Sequence, residues 1–325
     1  MKLVRRQFLH LAAGAAALPA VSRMARAQAY PTRPVRIVVG FAAGGGTDLT
    51  ARLIAQWLSE RIGQPFIVEN RPGASSNVAA EMVARALPDG HTLLFANATN
   101  AINATLYDNL SFNFVRDMAP IASIMRVPLV MEVHPSVPTM TPAEFIAYAK
   151  ANPGKLNVAS PGIGTPLHVA GEMFKMMSGL DIVFVTYRGT GPALVDLLAG
   201  QTQVMFDALP ASLEHIKAGR LRALAVTTAV RAEALPNVPP LGDVVPGYEA
   251  SSWFGLVAPT GTPDEAIDRL NKEVNSALND AKFKSRFTDL GGTVLIGSPS
   301  DFGKLIADET GKWGKVVRFS GIKPH

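Results

Sequence analysis

Three times along the chain an apolar run ends in a glycine-rich turn and passes straight into an amphipathic helix. The first junction is VRIVV followed by FAAGGGTD (Phe41–Asp48), with Leu49, Leu53, Ile54, Trp57, Leu58 and Ile62 recurring at helical spacing beyond it. The second is Ser160-Pro161-Gly162-Ile163-Gly164-Thr165 leading into PLHVAGEMFKMM, and the third is Tyr187-Arg188-Gly189-Thr190-Gly191-Pro192 leading into ALVDLLAG. A strand that feeds a helix and returns as a strand pairs with its predecessor in parallel, so repeated junctions of this kind predict an α/β fold.

In the first set, Val35–Val39 reads as strand, Asp48–Ile62 as helix stopped by Gly63, and Pro65–Glu69 as strand. Ala79–Leu87 follows as helix, Pro88-Asp89-Gly90 as turn and Thr92–Ala96 as strand. A second set begins near Ile121 with strand Val127–Val133. Thr141-Pro142-Ala143-Glu144 has capping-box spacing with proline at the first helical position, and that helix runs to Asn152. Strands Leu156–Ala159, Ile182–Tyr187, Val204–Phe206 and Leu221–Thr227 then alternate with helices Pro166–Ser178, Ala193–Ala199 and one near Ser212–Lys217. Ser252–Ala258 is strand-like again. Thr262-Pro263-Asp264-Glu265 opens a helix to about Ala281, and Ser298-Pro299 opens the last helix, which carries Trp313. The runs 127–133 and 252–258 flank the second set, so the chain is expected to cross between two domains there and back. The expected division is 30–126 plus 253–325 for the first domain and 127–252 for the second.

Residues 1–29 stand apart. They carry a basic start, a short Ala/Leu/Gly stretch and a small-x-small end at Ala27-Gln28-Ala29, the order of a cleaved export signal. Arg5-Arg6-Gln7-Phe8-Leu9 resembles a twin-arginine signal, with Val4 and His10 in place of the usual flanking residues, and the compartment expected is the periplasm. Lys2, Arg5, Arg6, Arg23 and Arg26 lie in this segment without any acid. Removing those five from 31 basic residues leaves 26 against 26 acidic ones, a net charge of zero over some 296 residues. The whole-chain charge of +5 therefore makes no case for nucleic acid or a membrane surface. Zero cysteines exclude disulfides, thiolate metal sites and cysteine nucleophiles.

In an open parallel sheet the strand C-termini share one edge, where ligands bind, and helix N-termini there present free backbone N–H groups. Three glycine-rich helix starts therefore favour an anion site, although glycines at turns and Ser, Thr or Asp at helix caps account for any one of them alone. No Gly-Lys-Ser/Thr follows the first loop and no G-x-G-x-x-G is present there, so a small carboxylate fits better than a polyphosphate.

Catalytic chemistry is thin. There is no G-x-S-x-G elbow and no H-E-x-x-H, and His168 with Glu172 lacks a further ligand for a metal. No catalytic residue, metal or cofactor is expected. His168 either packs within its helix or touches ligand. Asp48 either caps its helix or contacts ligand, and Asp207 either stabilises the fold or accepts a ligand amine. Arg188 is the cation nearest a candidate loop, and Trp253 reads as core or hinge packing.

Taken in order, YPTRPVRIVVGFAAGGGTD, ENRPGASSNVAAEMVARALPDGHTLL, LVMEVHPSVP, SPGIGTPLHVAGEMF, VTYRGTGPALVDLLAGQ and WFGLVAPTGTP resemble the periplasmic substrate-binding proteins of tripartite tricarboxylate transporters, the Bug receptors. The resemblance covers nearly the whole chain after residue 29. It implies a two-domain, hinged Venus-flytrap architecture, each domain a mostly parallel sheet flanked by helices. It also implies a ligand carboxylate held by backbone amides and water near Ala42–Gly46, with Phe41, Gly44, Gly45 and Asp48 in the same loop. Ser76 and Asn97 are further lining positions, and Thr165, His168, Gly189, Thr190 and Ala193 complete the site from the second domain, with Asp207 a candidate there on its own position after a strand. Ala42-Ala43 and Ser75-Ser76 depart from the Pro and Gly-Gly common at those places, which bears on ligand identity. The implied role is a monomeric receptor that closes on a small carboxylate and docks on membrane transporter subunits. The ligand could be an amino acid, a di- or tricarboxylate, or an aromatic acid. A periplasmic enzyme on a small organic acid and a sensor for a signalling partner are the alternatives.

Overall fold

The structure is a computed structural model that describes residues 30–324. The export signal and its cut near Ala29 lie outside the described residues. The first set of elements is β1 (Val35–Val39), α1 (Gly46–Ile62), β2 (Phe66–Asn70), α2 (Asn77–Ala84), β3 (Thr92–Asn97), α3 (Ala98–Leu106) and α4 (Phe114–Asp117). The long β4 (Met118–Val133) leads to α5 (Pro142–Ala151), β5 (Asn157–Ser160), α6 (Pro166–Ser178), β6 (Val183–Thr186), α7 (Thr190–Leu198), β7 (Val204–Ala208), α8 (Leu209–Lys217) and β8 (Arg222–Val226). The chain closes with β9 (Ser251–Pro259), α9 (Asp264–Asn279), α10 (Ala281–Asp289), β10 (Thr293–Val294) and α11 (Pro299–Ser320).

The strands follow the order β2-β1-β3-β9-β4-β7-β5-β6, with β8 and β10 also paired to β4. The α/β reading holds. Parallel pairing, expected for most of the sheet, is confined to β2-β1-β3 and β7-β5-β6. All five pairings made by β4 and β9 are antiparallel, because neither strand belongs to a βαβ unit. β4 itself is 16 residues long. Its stretch from Met118 to Pro128 pairs with β9, and Leu129–Val133 pairs with β7. Two register shifts, between Pro120 and Ala122 and between Ser123 and Met125, bend the strand before it changes partners.

Both faces of the first part of the sheet are covered, so its strands are apolar at successive positions. Ile37, Val39, Leu93, Phe95 and Leu256 face a core shared with Ile54 and Leu58 of α1 and Leu270 and Val274 of α9. Val38, Leu94, Trp253 and Val257 face another with Ile102 of α3 and Trp313 of α11, and that core continues to Val158, Phe174 and Phe206 in the second set. These cores anchor β1, β5 and β7, from which the loops project, while β6 at the sheet's edge contributes only the partly buried Phe184.

Candidate functional site

The first glycine loop is held by its own helix. Gly45 is the N-cap of α1, which makes Asp48 the third helical residue. Asp48 Oδ2 accepts from the Gly44 N–H at 2.9 Å and from Arg52 Nε at 2.9 Å, while Oδ1 accepts from Asn70 Nδ2 at 2.9 Å. The same amide also donates to Phe41 O at 3.0 Å, joining the loop to the end of β2. Burial would raise the carboxyl's pKa, but the three donors together outweigh it and hold Asp48 ionised, below the usual carboxylate range. Gly44 sits at φ +86°, a conformation that suits glycine. The first i→i−4 bond of the helix is Leu49 N–H to Gly45 O. The N–H groups of Gly46, Thr47 and Asp48 precede it and have no partner within the helix. Ala42 to Gly46 are all exposed.

The second loop repeats this latch with different chemistry. Thr165 caps α6, its Oγ1 accepting from the His168 N–H at 3.2 Å and donating to Gly162 O at 2.8 Å. His168 is again the third helical residue, and its Nδ1 accepts from the Gly164 N–H at 3.1 Å. Gly164, like Gly44, lies just before the cap and has positive φ, +72°. That bond places the imidazole proton on Nε2, 3.6 Å from Glu172 Oε1. Asp48 and His168 are thus committed to loop geometry. Because Pro166 has no N–H and Thr165 takes that of His168, this helix start offers fewer free amides than α1 does.

Between the two loops stands a strained segment. Ala74, Ser75 and Ser76 have φ of 43°, 51° and 77°, three consecutive non-glycine residues in the left-handed region. Asparagines hold them: Asn100 Nδ2 donates to Ser76 Oγ at 3.3 Å, and Asn103 Nδ2 donates to Ser75 O at 2.7 Å and to Asn77 Oδ1 at 2.9 Å. Asn97 caps α3, accepting from the Thr99 N–H at 3.0 Å. A Cβ on Gly40 would lie 2.0 Å from Ser76 Oγ, so the base of the first loop meets this segment directly. At the far end of α3, a Cβ on Gly164 would lie 2.3 Å from Leu106 Cδ2. Contacts therefore run from the first loop through residues 74–77 and α3 to the second loop. The third loop adjoins the second, with the Tyr187 N–H bonded to Ser160 O at 2.8 Å.

The third helix start carries no latch, since its third residue is Pro192. Gly189 is its cap at φ +108°, and Thr190 Oγ1 reaches Asp207 Oδ1 at 3.4 Å. Asp207 is fully buried at the end of β7, where Oδ1 also accepts from the Ala208 N–H at 2.8 Å. Ser212 Oγ lies 3.0 Å from its Oδ2 and 2.7 Å from Oε1 of Glu132, also fully buried. Burial pushes Asp207 up to about 6, and burial with the neighbouring Asp207 charge pushes Glu132 up to about 8.

Of the remaining expected residues, Phe41 is half-buried against the first core, and Ala193 is fully buried against Ala159, Leu197 and Met205. Trp253 is fully buried edge-on to Phe302 at 5.5 Å, and Arg188 is exposed. Sequence reasoning passes over Arg52, Asn70, Asn100, Asn103, Glu132 and Ser212. Only the spacing of Asn97, Asn100 and Asn103 along one helical stripe could have signalled any of them. Among the described residues, no three His, Asp or Glu side chains are placed to hold a metal ion. A depression of about 330 Å³ lies along α1 beside α10, lined by Leu49, Arg52, Leu53 and Arg286.

Residues 50–322 match the tripartite tricarboxylate transporter family receptor. The chain belongs to that family. It is 36% identical to protein BugT of Bordetella pertussis over 300 residues, 91% of this chain and 92% of BugT. Among solved structures it is similar to R. palustris Rpa4515 with adipate, at 38% identity and a TM-score of 0.78, covering 91% of this chain and 100% of that one. MatC from Rhodopseudomonas palustris with bound malate is 32% identical with a TM-score of 0.75, covering 89% and 100%. The receptor of this family accordingly shares its fold with proteins solved around small dicarboxylates.

Proposed function

We propose that this receptor binds a small carboxylate between two lobes and presents it to the membrane subunits of its transporter. The lobes are residues 30–126 with 253–325 and residues 127–252. The observation that carries the reading is the start of α1, where the Asp48 latch holds Gly44 and, among the described residues, the N–H groups of Gly46, Thr47 and Asp48 have no partner at the foot of the exposed stretch Ala42–Gly46. Two or three aligned amides at the positive end of a helix satisfy a carboxylate without a side-chain cation. The second and third loops would close over the ligand from the other lobe, and bridging both lobes would favour the closed state.

Adipate and malate in Rpa4515 and MatC support a dicarboxylate in preference to an amino acid. So does the Asp48 carboxylate, whose three donors leave it no open side for an ammonium group. The protein acts without chemistry on its ligand, after export to the periplasm. Thermal-shift measurements on protein starting at Tyr30, against adipate, malate, citrate, aspartate and benzoate, test this, since a ligand of the folded state raises Tm. Dicarboxylates should raise Tm and be recovered unchanged. A response to none of them, from protein shown by mass spectrometry to carry no trapped ligand, would overturn the reading.

A further inference from the structure

Glu132 and Ser212 belong to no ligand loop, yet with Asp207 they build a hydrogen-bonded chain that ends at Thr190. The three come from β4, α8 and β7, and none is exposed to solvent. Val130 is the direct partner of Asp207 in the β4–β7 register, so Glu132 is its diagonal neighbour on the same face.

The contacts impose a proton count. Ser212 Oγ is within hydrogen-bond distance of Glu132 Oε1 (2.7 Å) and Asp207 Oδ2 (3.0 Å). A hydroxyl has one proton and can donate to only one carboxylate. The second bond needs a proton on one of the acids. Asp207 Oδ1 accepts from the Ala208 N–H and the Thr190 hydroxyl, as an ionised group does. Among the described residues Glu132 accepts from nothing else, and its Oε2 has no partner. A lone buried carbonyl oxygen costs far less than a lone carboxylate oxygen, which puts the proton on Glu132. The bonds then run in one direction: Glu132 O–H to Ser212 Oγ, and Ser212 O–H to Asp207 Oδ2.

We propose that Glu132 is a positioning residue for the third ligand loop, and that its proton, held through Ser212, is required for full affinity for an anionic ligand. Protonated, it leaves a single negative charge beneath the start of α7, oriented by Thr190. Loss of the proton sets two like charges against one hydroxyl, slackens the hold on Thr190 and adds a negative charge beneath the start of α7.

Among the described residues, the charged groups on the packed elements are engaged elsewhere. Arg222 of β8 is committed to Val137 O and Thr139 O, and Asp196 of α7 accepts from the Tyr187 hydroxyl. On α8, Glu214 pairs with Lys217 at the surface, and His215 bonds to neither acid. α6 meets the opposite face of β7, where Gly171 abuts Phe206. The upward shift of Glu132 to about 8 agrees with the proton count.

The proposal rests on the carboxylate reading only for its affinity arm. Infrared difference spectra of the ligand-free protein between about pH 7 and about pH 9, above the range in which Asp207 gives up its proton, should show a protonated-carboxyl band lost with a midpoint near 8, and absent in Glu132→Gln. No such band in the wild type, or its survival in Glu132→Gln, would overturn the proton assignment. In calorimetry with adipate and with malate, both fully ionised over this range, wild-type affinity should fall roughly fivefold between about pH 7 and about pH 9. Glu132→Gln, a neutral isostere, should match the wild type at about pH 7 and stay level to about pH 9. A level wild-type affinity, or an equal fall in Glu132→Gln, would overturn the coupling. Failure of the wild type to bind either acid at any pH would instead count against the carboxylate reading, and the infrared arm decides the proton without a ligand.

Discussion

Asp48 and His168 occupy the same station, three residues into a helix, and each reaches back to the N–H of the glycine before the cap. One is an anion and the other an imidazole, but a lone pair aimed at the same amide is all the loop requires. The neighbouring glycines are not interchangeable. Gly45 has φ −80° and ψ 167°, and a Cβ there would meet nothing nearer than Ala42 O at 3.9 Å. Gly45→Val should therefore keep the circular dichroism of the fold, at a stability cost of no more than about 1 kcal/mol for a poorer N-cap, while crowding the ligand oxygens and weakening carboxylate binding at least about tenfold by calorimetry. Unaltered affinity would dismiss the amide cradle. Ser75 presents the reverse case. It is exposed at φ 51°, and Asn103 holds only its carbonyl, which glycine also has. Ser75→Gly should raise unfolding free energy by about 1 kcal/mol in denaturant titration, because left-handed backbone is strained for an L-residue. A loss of stability would show that the strain is absent.

At the scale of elements, three departures from the sequence reading have a local reason: a divided helix, a helix not read at all and a strand longer than expected. The helix expected to run from Thr262 to about Ala281 is divided at Asp280, whose side chain accepts from the N–H groups of Lys282 and Phe283 and starts α10. Asp280→Ala should cost about 1 kcal/mol in thermal or denaturant unfolding, the ordinary worth of an N-cap. A null effect would mean that burial of Phe283 and Phe287 alone holds α10. In α3, TNAINATL offers little helix propensity, and the helix rests on the Asn97–Asn100 capping box and on burial of nearly every residue. β4 is legible only in part because Pro120 and Pro128 interrupt its apolar run; the backbone absorbs the first next to a register shift. The glycine loops are plain in the sequence because φ above zero has a compositional signature. Strain at Ala74–Ser76 has none, since neither Ala nor Ser advertises a left-handed backbone. Nor does the Glu132–Ser212–Asp207 chain, whose members meet only when β4, β7 and α8 pack.

The whole molecule carries opposing proton linkages. Glu132 and Asp207 are raised in the folded state, so their contribution is complete below the ordinary 4.5 and 3.8 and is lost as pH rises through about 8 for Glu132 and about 6 for Asp207. Asp48, and Asp117 at about 2, are lowered, so theirs is complete above 3.8 and is lost in acid. Tm should peak near about pH 5 and decline toward about pH 8, with a shallower decline in Glu132→Gln. A Tm that rises across that interval would contradict the burial of an acid pair.

The place of β9, between β3 and β4, governs how the chain is made. Residues 97 and 133 end the two strands it joins, but β9 does not begin until Ser251. At the ribosome's pace of about 5–20 residues per second, the 118 residues from 134 through 251 take roughly 6–24 s to appear. For that interval two apolar strands have open edges, a template for pairing with other chains. A chain ending at Ala250 should therefore collect in the insoluble fraction on expression, and its recovery as soluble monomer would contradict this order of assembly. The nascent protein has need of a holding chaperone until its own late strand arrives to take that place.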